Sequence, residues 1–267
     1  MQSGFNQGFS LPTKGGWKTY FDCDFTLLTS KAYTDGAYTV NNKTMTVTNV
    51  SSSGSISNIA GTGLVWTLDS LGVNKSIGNM DSVNTPPSSG IRSAPLISFQ
   101  MGDLIPGTVL DDNKRIMMFF DMGPKFDQNN ETAILRYEQA ANPLYKFTQL
   151  MRDNVGTKNI RSRSVNQSER ANFAAISNSN VNLYCIDMTG IFVTTRYKID
   201  HDFKTIPSTA DMQVWRQYVL EYIGTAATTS YNGPTDRVVV AAFDSDATTP
   251  VDFTFTLKRL VVQRLDQ

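Results

Sequence analysis

Between positions 17 and 27 the chain alternates with a period of two. Trp17, Thr19, Phe21, Cys23, Phe25 and Leu27 are interleaved with Lys18, Tyr20, Asp22, Asp24 and Thr26. Successive side chains of a β-strand point to opposite faces, so this run predicts a strand with one face in a core and the other in water. The polar composition extends that reading to the rest of the chain. Ser, Thr and Asn dominate it, and the only glutamates are Glu131, Glu138, Glu169 and Glu221. Thr suits pleated strands and Asn, Asp and Ser suit turns, whereas Glu and Lys are the usual filling of exposed helix faces.

Further strands are predicted at 37–40, 43–48, 64–68, 96–100, 115–122, 133–138, 145–151, 181–187, 191–198, 214–223, 237–243 and 251–264. Asn41 and Asn42 join the first two of these, and because Asn tolerates positive φ they predict a tight hairpin. The stretch 131–153 has some helical character, but Pro143 interrupts it, and it reads as two strands. The segments 50–63, 79–93 and 152–180 read as long loops. Many short strands at this spacing predict an all-β antiparallel sandwich or jelly roll with long loops, in one soluble domain over 1–267. The first 15 or so residues are expected as an extended arm, and no fixed-period repeat divides the chain.

With 40% apolar and 18% charged residues and a formal net charge of zero, the 267-residue chain can fill a core. It offers no global field for nucleic acid or an anionic membrane. The longest apolar runs, 116–120 and 238–243, are far short of a membrane span. The first residues have neither the cationic nor the apolar part of a secretory signal. Cys23 and Cys185 are too few for a disulfide framework or a structural zinc site; they read as small buried side chains, with pairing left open.

The two ends resemble the concanavalin A-like sandwich, the lectin, glucanase and laminin-G-like kind. Trp17 with Phe21-Asp22-Cys23-Asp24-Phe25 carries the likeness at the start, and Asp252-Phe253-Thr254-Phe255-Thr256-Leu257-Lys258-Arg259-Leu260 at the finish. The resemblance implies that the first and last long strands lie in one sheet. No carbohydrate or calcium ligand of that family is matched residue by residue. The Ser/Thr/Asn-rich flavour is also similar to that of bacteriophage virion proteins.

Catalytic devices fail on residue inventory. The single histidine, His201, has Asp200 and Asp202 beside it but no nucleophile elbow to serve, and reads as a turn residue between two acids. One histidine and two separated cysteines exclude the usual zinc sites, while Asp244-Ser245-Asp246 and Asp111-Asp112-Asn113 read as acidic turns, so no metal and no cofactor are expected. Glu131 and Glu138, seven apart, would face opposite sides of one strand, unlike the paired carboxylates of a glycosidase. Phosphate-binding glycine loops are absent.

What remains is binding. Trp66, Tyr231, Asn232, Asp244 and Asp246, with Tyr33, are the candidate glycan contacts, although Trp66 sits among Leu64, Val65 and Leu68 in a pattern that also suits a core. Lys158, Arg161, Arg163 and Arg170 form a basic loop able to meet acidic polysaccharide, a neighbouring subunit's Asp side chains or a nucleic-acid phosphate. The expected function is a non-enzymatic virion structural or attachment protein: a capsid decoration, fibre or tail component assembled in the host cytoplasm. Its expected partners are other copies of itself or neighbouring virion proteins, and a cell-surface glycan, with no specific nucleic acid and no membrane insertion. A lectin-like carbohydrate-binding module is the alternative, and a sandwich-fold glycan hydrolase or lyase the second alternative. Ile56, Ile59, Val83 and Ile91, placed in loops, would be costly to leave in water and argue for cover by a neighbour.

Overall fold

The computed structural model describes residues 16–50, 54–68, 95–105, 115–122, 131–140, 147–153, 159–165, 174–177, 183–189, 192–198, 227–244 and 253–265. In chain order the strands are β1 (Trp17–Asp24), β2 (Lys31–Tyr33), β3 (Gly36–Val40), β4 (Lys43–Thr48), β5 (Ser55–Ile59), β6 (Gly63–Leu68), β7 (Leu96–Gln100), β8 (Arg115–Met122) and β9 (Glu131–Glu138). They continue with β10 (Phe147–Asp153), β11 (Asn159–Val165), β12 (Ala174–Ser177), β13 (Leu183–Thr189), β14 (Phe192–Lys198), β15 (Ala227–Ser230), β16 (Arg237–Asp244) and β17 (Phe253–Leu265). One short helix, α1 (Met101–Leu104), follows β7.

The strands form two antiparallel sheets. The first runs β15-β14-β13-β8-β17-β6-β5-β2, with β1 added on β17, and the second runs β12-β11-β10-β9-β16-β7-β4-β3. The predicted all-β sandwich is therefore what the chain forms. The first and last long strands do share a sheet: β1 pairs antiparallel with β17, from Trp17 opposite Leu265 to Asp24 opposite Arg259. On the same side of β17, β6 continues the pairing from Phe253 to Leu257, and β8 lines the other side.

Alternation explains the core. Phe21, Cys23, Ile116, Met118, Phe120, Leu260 and Val262 from the first sheet meet Met45, Val47, Ile97, Phe99, Leu135, Tyr137, Val238 and Val240 from the second. Burying each large apolar side chain contributes about 1.5–3 kcal/mol, so this interior supplies most of the drive to fold. The intervening residues of the central strands are buried too. Met117, Phe119, Leu183, Cys185 and Val261 form a second apolar cluster, with Trp17 packed against it. Neighbours along a strand point to opposite faces, so this cluster occupies the side of the first sheet away from the main core. The two cysteines accordingly form no disulfide with each other, Cys23 lying in the main core and Cys185 in the second cluster.

Several expectations are corrected in detail. The first strand ends at Asp24, not Leu27: the Asp24 carboxylate accepts from the Thr26 amide at 2.9 Å, and residues Phe25–Leu27 turn into a 3-10 helix that leaves Leu27 81% exposed. A register shift between Thr19 and Phe21 also breaks the alternation, so that Thr19 is exposed. Within the predicted loop at 50–63 lies β5, which sends Ile56 into the core, and within 152–180 lie β11 and β12. The stretch 131–153 does form two strands, which pair with each other. The Asn41-Asn42 hairpin is present, with φ of 45° and 63° at the two residues. The predicted strand 214–223, the loop 79–93, and the residues Val83, Ile91, His201, Asp111, Asp112 and Asn113 lie outside the described residues. Among the described residues, no helix is long and apolar enough to cross a membrane.

Candidate binding surface

Of the residues singled out in the sequence, Trp66 is placed by its neighbours. It alternates with Val65 and Thr67 on β6, is fully buried, packs at a tilt against Phe255 with 5.1 Å between centroids, and donates its indole N–H to the Pro95 carbonyl at 3.1 Å. It is a core residue, not a platform for ligand, as the apolar pattern around it allowed. Tyr231 and Asn232 are brought together in the turn that precedes β16. Asp244 closes the same strand at its far end, in register with Glu131. Seven steps of about 3.4 Å separate it from Arg237, roughly 24 Å, so it belongs to a different end of the molecule. Tyr33 sits on the edge strand β2, its ring edge-on to Tyr38 at 4.8 Å. Arg161 and Arg163 lie in β11 and not in a loop, while Asp246, Lys158 and Arg170 lie outside the described residues.

The turn holding Tyr231 and Asn232 is built on a residue that sequence reasoning passed over. Asp236 is fully buried. Its carboxylate accepts the Tyr137 hydroxyl at 2.5 Å and the backbone amides of Asn232, Gly233 and Ala140 at 2.8, 3.2 and 3.1 Å. A buried carboxylate must be compensated this fully or it would be costly. One side chain thereby ties the exit of β9 to the entrance of β16. Helix α1 is tied to the same turn, because the Met101 amide donates to the Asp236 carbonyl and the Gly102 amide to that of Pro234. Only glycine permits this approach: a Cβ on Gly102 would lie 2.8 Å from the Pro234 Cβ.

The electrostatics follow from the burial. Desolvation, then the hydrogen bond to Asp236 and its charge, push the Tyr137 phenol far above its ordinary range. Burial and the same charge raise Tyr231. Tyr231 is half-buried against the core and its hydroxyl is enclosed, whereas Asn232 is exposed.

Beside this turn, on the sheet face opposite the core, stands a charged cluster. Arg237 donates from Nη2 to Glu138 Oε2 at 2.9 Å, and Arg136 Nε lies 3.3 Å from Glu138 Oε1. Arg136 is fully buried, Glu138 nearly so, and the Arg237 side chain is 40% exposed. Taking charges out of water costs several kcal/mol per ion, so they occur where partners fix them. The register continues outward: Arg237 is opposite both Glu138 and the exposed Gln100, while Gln149 stands opposite both Arg136 and Arg163. The result is a rigid end of the second sheet that presents the Arg237 guanidinium and the carboxamides of Asn232 and Gln100 beside a half-buried tyrosine. These groups can hydrogen-bond a polar ligand and pack against its apolar side. The signal in the sequence was there: Arg136 and Glu138 fall at alternate positions of Ile134-Leu135-Arg136-Tyr137-Glu138, between and beside the apolar residues of that run.

No protein-family model and no curated protein matches the chain. Solved structures similar to it are β-sandwiches of the lectin and glucanase kind, the class that the two terminal strands resembled. They include the CBM2 module of the evolved Dit of Lactobacillus casei BL23 phage J-1, with 11% identity over 94% of this chain and 96% of that one and a TM-score of 0.46. A carbohydrate esterase from Shiga toxin-encoding bacteriophage phi24B has 9% identity over 94% and 100% of the two chains, TM-score 0.40. Lectin II from Ulex europaeus has 10% identity over 89% and 99%, TM-score 0.37. Enzymes and non-enzymatic binding proteins thus both stand among the similar structures.

Proposed function

We propose that this chain is a non-catalytic module of a bacteriophage particle that binds a glycan at the end of the second sheet, through Tyr231, Asn232, Gln100 and Arg237. The observation that carries the reading is the Asp236 hub, which fixes three connections so that the exposed Asn232 and Gln100 and the partly exposed Arg237 are held ready without rearrangement. Preorganisation of this kind lowers the ordering cost of taking up a flexible, polar ligand. A place in a particle is supported by the Ser/Thr/Asn-rich, low-charge composition.

The test is binding of purified protein to cell-envelope polysaccharide of candidate hosts, compared with Gln100→Ala and Asn232→Ala. Both positions are exposed, so the variants are expected to keep the wild-type melting temperature while losing about tenfold or more in affinity. Variants that bind like the wild type would refute the site. Cleavage of the polysaccharide with steady turnover would replace the reading with that of a hydrolase or lyase.

A further inference from the structure

The turn that presents Asn232 carries a chemical vulnerability that its neighbours restrain. Asn232 is followed by Gly233, and this is the one Asn-Gly pair in the chain. An asparagine carboxamide is open to attack by the backbone nitrogen of the next residue, and glycine, having no Cβ, leaves that approach clear. Asn232 is exposed, and a Cβ placed on Gly233 would meet nothing within 4 Å, so the space for ring closure is open. What stands against the reaction is Asp236. Its Oδ2 accepts the Asn232 amide at 2.8 Å and the Gly233 amide at 3.2 Å, while its own amide donates to the Gly233 carbonyl at 3.1 Å. The same buried carboxylate is anchored from the end of β9 by the Tyr137 hydroxyl at 2.5 Å and the Ala140 amide at 3.1 Å.

We propose that Asn232-Gly233 is a self-modification site that Asp236 holds shut, and that its release turns the Asn232 carboxamide into a carboxylate on the candidate binding surface. The Gly233 nitrogen gives its proton to solvent and bonds to the Asn232 Cγ, the Cγ–Nδ2 bond breaks, and the side-chain nitrogen leaves as ammonia. Water then opens the cyclic imide at either carbonyl to give aspartate or isoaspartate, and nothing is oxidised or reduced. Asp236 opposes the first step in two ways. The proton that must leave is the one its carboxylate accepts, and the nitrogen anion would stand 3.2 Å from a buried negative charge, where repulsion is poorly screened. Two successive amides bound to one oxygen also hold the backbone on either side of the Asn232 Cα, so a swing of the Gly233 nitrogen towards Cγ has to break them. The effect on binding rests on the reading of Asn232 as a ligand contact: the product has lost the Nδ2 donor and gained a charge.

The experiment follows Asn232 by peptide mass mapping of the full chain in mildly alkaline buffer, native and in urea, beside hydrogen exchange of the Gly233 amide. Native deamidation is expected to be slower than unfolded by the protection factor of that amide, to within about threefold, and by at least about tenfold in all. Native Asn232 that reacts less than about tenfold slower than the unfolded chain, or more than about threefold faster than Gly233 opening allows, overturns the restraint. Asp236→Asn removes the charge and keeps an acceptor. Where this variant retains the wild-type circular dichroism, its Asn232 is expected to react about fivefold or more faster than in the wild type, with the exposed Asn42 unchanged, and equal rates overturn the proposal. Aged wild type, separated from fresh by anion exchange, is expected to bind host polysaccharide about tenfold more weakly, and equal binding refutes the effect on binding. Fresh protein that binds nothing is the failure of the proposed function, and the mass readings decide the restraint without it.

Discussion

Single residues carry constraints here that their chemistry makes visible. Gly63 opens β6 at φ +113°, and a Cβ there would stand 2.7 Å from the Leu257 carbonyl, against the central strand β17. Gly63→Ala combines backbone strain with a steric clash and is expected to lower stability by about 2 kcal/mol or more, read as a shift in the urea midpoint without a change in slope. Cys23 is another such position. Burial first, then Asp24 and Asp22, push its thiol from 9.0 to about 12. A thiol alkylating reagent at mild alkaline pH is therefore expected to leave Cys23 unmodified in the native protein and to modify it after unfolding. The linkage runs the same way: the neutral thiol favours the fold up to the unfolded value of about 9, and that contribution is lost as pH rises towards 12, so the protein is expected to lose stability on alkaline titration in that window. Trp66 shows how far the sequence could be read at this scale. Its neighbours Leu64 and Leu68 pointed to a core, and the choice between core and platform needed the sheet above it.

At the scale of elements, the strands with clean chemical signatures were legible and those without were not. The sequence bounds and the structure agree at β7 and β8, whose apolar runs stop at turn-forming residues, and at the β3–β4 hairpin, where two asparagines supply the positive φ that its turn demands. Strands β5, β11 and β12 were hidden, since Ser55–Ile59 and Asn159–Val165 are built largely of Ser, Asn and Arg, and such composition is shared with loops. The candidate surface was legible in part. Tyr231 and Asn232 stood out in the sequence as candidate glycan contacts, but the Asp236 that organises their turn reads as one aspartate among twenty. Asp236→Ala would strip Tyr137 and three amides of their acceptor at once. A loss of about 2–4 kcal/mol is expected, with faster exchange of the Asn232, Gly233 and Ala140 amides than elsewhere in the second sheet. The hairpin makes a gentler test: Asn42→Gly is expected to change stability by less than about 0.5 kcal/mol, and Asn42→Val to cost about 1–2 kcal/mol, because a β-branched residue resists that φ.

At the scale of the whole molecule, the layout of the two sheets bears on when either can exist. Strand β17 separates β8 from β6 and β1 in one sheet, and β16 separates β9 from β7 in the other. Among the described residues, these two central strands are the last two in the order of the chain. During synthesis, then, a nascent polypeptide that has reached residue 236 has made every outer strand of both sheets and neither middle. Ile116, Met118, Phe120 and Leu135 would wait with their flanking edges unpaired, the condition in which β-rich intermediates aggregate. The ribosome cannot hand over a half-finished sandwich that is stable by itself. Chains cut short before β16 by nonsense mutation or proteolysis are expected to appear only as insoluble or degraded fragments, while nicks within the edge strands β3 or β12 leave the remaining sheet in place.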